Sequence, residues 1–104
     1  MFVRLIAIMK AYLSKNTVKE LVLMLDDAYQ ADPDEPDFDY VGIMKNLLLS
    51  DKHRDERNQL ELSSETVEWL FSILDVMLFK QEPIGKVSSE TRAELNERMK
   101  EQRW

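Results

Sequence analysis

The residues best suited to chemistry are carboxylates. Glu65-x-x-Glu68 and Glu94-x-x-Glu97 repeat one spacing, and acids three apart project from one face of a helix. Two such helices side by side would present four carboxylates to a divalent cation, the arrangement that holds magnesium against a diphosphate. A second group lies between Asp26 and Asp39, where seven acids and no base occur. Within it, Asp32 and Asp34 take the first two ligand positions of an EF-hand calcium loop. His53 is the single histidine, and His53-x-x-Glu56 sets two ligand types one helical turn apart.

Each group falls short of what its chemistry requires. The glutamate spacing is that of the all-helical nucleotide pyrophosphohydrolases, but the additional adjacent glutamate and the closing aspartate of that site are missing. A magnesium-dependent hydrolase of this class, built on Glu65, Glu68, Glu94 and Glu97, stands as the alternative reading. First-turn placement and ion pairing account for the same four acids without a metal. The calcium pattern breaks at Pro36, at Asp37 in place of the turn glycine, and at Ile43 in place of the terminal glutamate. His53 lies in the polar run Ser50 to Gln59, with no second motif to complete a di-iron set and no partnered nucleophile. The sequence therefore predicts no catalytic residue, no metal site and no cofactor.

Charge and composition narrow the partners. The 104 residues carry 14 Lys and Arg against 20 Asp and Glu, a net charge of −6, which opposes nucleic-acid binding because phosphate contacts need clustered bases. With seven acids confined to 26–39, the rest of the chain holds 13 of the 20 acids against all 14 bases. The acidity is one local patch on a nearly neutral body. No cysteine is present, so disulfides and thiolate chemistry are excluded and a reducing, cytoplasmic setting fits. The apolar run Leu5 to Met9 is interrupted by Lys10, too short for a membrane span or a signal-peptide core.

The elements that would position these residues read as helices. Two glycines and three prolines leave few breaks. Residues 2–13 are apolar around most of a helical circumference, although Phe-Val-x-Leu-Ile also suits a strand. Thr17-x-x-Glu20 has the form of a capping box, predicting a helix over 18–30. The two prolines of 31–39 make that acidic stretch a loop. Asp39 is placed to cap a helix over 40–50, with Phe38 and Ile43 set as a hydrophobic staple. Residues 50–62 form a polar connector, read as a mobile loop in preference to a solvated helix extension. The strongest helix runs over 64–81 and is expected at the centre of the bundle. A final helix over 89–103 has little core material beyond Leu95 and Met99, and its Glu94 and Arg98 have i,i+4 pair spacing. SSETVEWL (63–70) and SSETRAEL (88–95) look alike, as repeated use of one cap.

These elements make the chain all-α, a small bundle of four to five helices in a single domain over 1–104, with the helix at 89–104 peripheral. A helix-turn-helix around Ser14-Lys15-Asn16 would present Glu20, Asp26 and Asp27 to phosphate, so a dimeric transcription regulator ranks as a second alternative. The leading expectation is a non-enzymatic protein-binding module, such as a small regulator, inhibitor, immunity-type or phage-type accessory protein. Its expected partner is another protein, with no nucleic acid and no membrane. The candidate partner-binding residues are Asp32, Asp34, Glu35, Asp37 and Asp39 of the loop, with the aromatics Phe38 and Trp69. The helices at 2–13 and 64–81 are each apolar over more than one face, more than a core of this size covers, which predicts a homodimer.

Overall fold

The structure, a computed structural model, describes residues 8–34, 38–75 and 87–102. They form a short strand β1 (Ile8–Ala11), helix α1 (Lys15–Ala31), helix α2 (Tyr40–Lys52), a second strand β2 (Leu60–Ser63), helix α3 (Ser64–Asp75) and helix α4 (Ser89–Gln102). The chain is thus mostly α-helical, as its patterning predicts, with one small sheet added. No helix among the described residues is long and apolar enough to cross a membrane.

The sheet corrects the expected helix over 2–13. Residues 8–11 are extended and pair antiparallel with β2, Ile8 opposite Ser63 and Ala11 opposite Leu60; residues 2–7 lie outside the described residues. The partner strand was concealed in the polar connector 50–62, where Leu60-Glu61-Leu62 alternates buried, exposed, buried. Pairing across some fifty residues decided between two local readings that the apolar run alone leaves open. The free edge of β2 is also covered: Ser50 Oγ accepts from Glu61 N at 2.6 Å, and Asn46 Oδ1 accepts from Ser63 N at 3.1 Å. Two α2 side chains one turn apart satisfy backbone donors that an edge strand would otherwise leave to solvent or to another chain.

Beneath the sheet lies a single core. Leu13, Leu21, Leu25, Leu47, Leu60, Leu62, Leu70 and Leu95 are wholly inaccessible, drawing on every described helix, on β2 and on the segment between β1 and α1. Helix α1 contributes Val18, Leu21, Met24 and Leu25, a spacing of three and four that keeps one face inward against α2. Helix α3 packs on α2, on α4 and on both strands, with Trp69, Leu70 and Ile73 buried. The expected extension of this helix to residue 81 falls on 76–86, outside the described residues.

The connector after α2 is organised by two side chains. Helix α2 ends at Lys52, and His53 follows as its C-cap. Asp55 then accepts from Arg57 N and Gln59 N at 2.8 and 2.9 Å, closing a tight turn in which Asn58 takes a left-handed φ of 62°. Arg54, only 7% exposed, donates to Leu13 O at 2.6 Å, to Asn58 O at 3.1 Å and to Asp51 Oδ1. The connector is a loop, as its composition predicts, and its run of polar residues spends donors and acceptors on itself and on the backbone.

Candidate partner-binding cleft

Three of the four described helices start in the same way. Ser14, Ser63 and Ser88 each accept, through Oγ, from the amide of a threonine three residues on, at 3.2 Å. Each serine hydroxyl also lies within 3.2 Å of that threonine's hydroxyl. Thr17, Thr66 and Thr91 are all buried. The likeness between 63–70 and 88–95 is therefore a shared cap, and Ser14-x-x-Thr17 is a third copy that the sequence reading passed over. The capping box assigned to Thr17 and Glu20 is corrected: the helix begins three residues earlier, and Thr17 occupies the position whose amide is capped.

What closes each cap comes from a different helix. Asn46 of α2 accepts from Ser63 N and from Thr66 Oγ1 (2.9 Å). Glu94 of α4 accepts from Ser14 N at 2.9 Å. Glu20 of α1 accepts from Ser88 N at 2.7 Å, from Ser88 Oγ at 2.8 Å and from Thr91 Oγ1. In a capping box the returning acceptor sits on the same helix; here tertiary packing supplies it. The Thr91 hydroxyl, followed by the Ser88 amide, holds the Glu20 carboxyl below the usual glutamate value. Asp55 is likewise lowered, first by the Gln59 amide and then by the Arg57 amide and Lys10, 3.5 Å away.

This geometry disperses the acids that suggested hydrolysis. Glu94 is committed to the start of α1, Glu65 is exposed in the first turn of α3, and Glu97 is exposed on α4. No three of His, Asp and Glu converge among the described residues. Asp32 caps the end of α1 through its backbone, and the exposed His53 stands over a shallow hollow with Asn46, Leu49, Ser50, Glu61 and Ser63. With residues 8–11 extended, the helix-turn-helix around Ser14 does not form.

The aromatic candidates do come together. Phe38 and Trp69, 31 residues apart in sequence, line one apolar cleft of about 250 Å³ with Met24, Leu25, Ala28, Tyr40, Ser72 and Ile73. The Phe38 and Tyr40 rings are 4.8 Å apart and tilted. Trp69 is a wall rather than a projecting anchor, being 7% exposed. Between the two rings in sequence, Asp39 caps α2 by accepting from Gly42 N at 2.9 Å, and a Cβ at position 42 would collide with that carboxylate. Asp32, Asp34 and Asp39 are exposed and form no ion pair among the described residues. Glu35 and Asp37 lie outside the described residues.

Two features escaped the sequence reading. Tyr12 has the guanidinium groups of Arg54 and Arg98 over its ring, 5.6 and 5.5 Å from the centroid, which ties the segment after β1 to α4 and to the polar connector. Helix α2 also exposes Leu48 and Leu49, an outward pair hidden by the general apolarity of that segment. The chain matches no protein-family model, no curated protein and no solved structure.

Proposed function

We propose that this chain is a non-enzymatic protein-binding module, of the kind that serves as a small regulator, inhibitor or accessory protein, and that it docks a partner in the Phe38–Tyr40–Trp69 cleft. The observation that carries the reading is the meeting of Phe38 and Trp69 in one apolar cleft, with Asp32, Asp34 and Asp39 of the acidic loop exposed and without ion pairs among the described residues. An aromatic-lined hollow favours an apolar anchor, and aromatic side chains supply large contact area at low entropic cost. The acids at 32, 34 and 39 favour Lys or Arg flanking that anchor and speed its encounter. The partner is thus a basic segment with one buried apolar side chain.

The test uses tryptophan emission. In a Trp104→Phe background Trp69 is the single tryptophan, and three peptides are titrated that share a central Leu but carry basic, neutral or acidic flanks. The basic peptide is expected to shift Trp69 emission at the lowest concentration and to weaken as salt rises. Asp32→Asn with Asp34→Asn should weaken it by roughly two- to five-fold per charge, the scale of exposed ion pairs. Equal response to basic and acidic flanks, or none to any, would remove the proposal.

A further inference from the structure

The Phe38–Tyr40–Trp69 cleft has walls of two kinds. Met24, Leu25 and Ala28 stand on α1, and Trp69, Ser72 and Ile73 on α3. Met24, Leu25, Trp69 and Ile73 also belong to the core, whose close packing fixes them. The remaining wall is Phe38 and Tyr40, half-buried residues on either side of Asp39. Phe38 precedes α2 and Tyr40 opens it, so neither lies within a completed helical turn.

Two hydrogen bonds set where that wall stands, and both run to Asp39. Its backbone carbonyl accepts from Ile43 N at 3.1 Å, and its carboxylate accepts from Gly42 N at 2.9 Å. Ile43 is 1% exposed, so the first bond ties the wall to the core. The second fixes the Asp39 backbone, at φ −93° and ψ 75°, where the chain bends into the helix. Gly42 belongs to the same arrangement. Glycine costs a helix stability relative to alanine, yet a Cβ at 42 would take the space of the Asp39 carboxylate.

We infer that Asp39 and Gly42 are positioning residues for the cleft: the carboxylate, seated in the space that Gly42 leaves, holds Phe38 and Tyr40 where a partner's apolar side chain enters between them and Trp69. This rests on the docking reading of the cleft and adds a requirement to it. Asp39 then acts twice, through its charge on a basic partner and through its hydrogen bond on the wall. Substitution separates the two. Asp39→Asn removes the charge and keeps a capping oxygen. Gly42→Ala keeps every charge and displaces the cap, because the carboxylate ends a rotatable side chain that swings away from the new methyl.

The experiment compares Asp39→Asn, Asp39→Ala, Gly42→Ala and the combined Asp39→Ala with Gly42→Ala, each in the Trp104→Phe background where Trp69 is the single tryptophan. Acrylamide quenching of Trp69, with no peptide added, reports the wall. The quenching constant is expected to rise about two-fold in Asp39→Ala and in Gly42→Ala as the cleft opens locally, and to stay unchanged in Asp39→Asn. The combined variant should match Asp39→Ala, since the carboxylate that the methyl displaces is already gone. Peptide titration then reports the site. Gly42→Ala is expected to weaken basic and neutral peptides alike, by about five-fold, the scale of one helix cap. Asp39→Asn should weaken the basic peptide alone and lessen its salt dependence. Circular dichroism checks folding, and the higher helix propensity of alanine offsets the lost cap in Gly42→Ala. Unchanged quenching in either single alanine variant, a rise in Asp39→Asn equal to that in Asp39→Ala, or a further rise in the combined variant overturns the inference, whether or not peptides bind. The expected quenching pattern with no peptide bound by any chain upholds the positioning of the wall and removes the docking reading instead.

Discussion

Glu20 and Glu94 start each other's helices. Glu20 lies on α1 and accepts from Ser88 N at the beginning of α4; Glu94 lies on α4 and accepts from Ser14 N at the beginning of α1. The exchange explains how a final helix with one fully buried leucine, Leu95, is held in place. Its attachment relies on hydrogen bonds to charged acceptors, each worth about 1.5–3 kcal/mol in favourable settings, more than on a hydrophobic stripe.

Removing Glu20 should loosen α4 first. Glu20→Ala leaves the Ser88 amide and the buried Thr91 hydroxyl without their acceptor and is expected to cost about 1–3 kcal/mol. Glu20→Gln keeps one oxygen acceptor and should cost less. Urea denaturation gives the magnitude, and amide exchange should show the loss concentrated in 89–102.

Acid should undo the same contact. The Glu20 carboxyl is held below its ordinary value of 4.5, so its contribution is fully present above that pH and is lost as pH falls through the lowered folded value. Asp55, lowered from 3.8, adds a second loss that begins as pH falls below that value. Urea midpoints measured downwards from pH 6 should fall for wild type, and Glu20→Gln should flatten the first part of the decline. An identical slope in the variant would assign the acid sensitivity elsewhere.

Asn46 performs the corresponding role for α3. Asn46→Ala removes the acceptor of Ser63 N and of the wholly buried Thr66 hydroxyl, at an expected cost of about 1–3 kcal/mol. Asn46→Asp retains an acceptor oxygen and should recover most of it at neutral pH. Thermal melts of the two variants separate a lost hydrogen bond from lost packing.

Arg54→Lys is the sharpest test of the polar connector. One ammonium cannot reach Leu13 O, Asn58 O and Asp51 together as the planar guanidinium does. A loss of about 1–3 kcal/mol is expected, with faster amide exchange in 54–59.

Asn58 carries the one left-handed backbone among the described non-glycine residues. Asn58→Gly is expected to be near neutral, and Asn58→Ala to cost about 1 kcal/mol. Chemical denaturation midpoints of the pair check it.

Helix content and most helix positions were legible because they depend on local spacing. Leu21 and Leu25, or Ile43 and Leu47, repeat at the helical interval, and each pair is buried. Asp39 before Tyr40 announced its cap. What stayed hidden was set by distant partners. Leu60 and Leu62 look like two apolar residues at the end of a polar run until β1 lies beside them. Glu20 fits a local box with Thr17 until Ser88 offers more donors. Of the cleft, Phe38 just before α2 and Trp69 within α3 were both visible as aromatics, yet their meeting depends on how α3 packs against the start of α2, which no spacing encodes.

The borrowed acceptors at Ser14, Ser63 and Ser88 also bear on how the chain folds. A helix that closes its own cap has a complete first turn before it meets any neighbour. Here the first turns of α1 and α4 each wait for the other, and that of α3 waits for α2. None of the three is a finished unit on the way to the native state. Folding and unfolding should therefore run as one concerted event, with few partly assembled species whose bare helix ends and strand edges would invite aggregation.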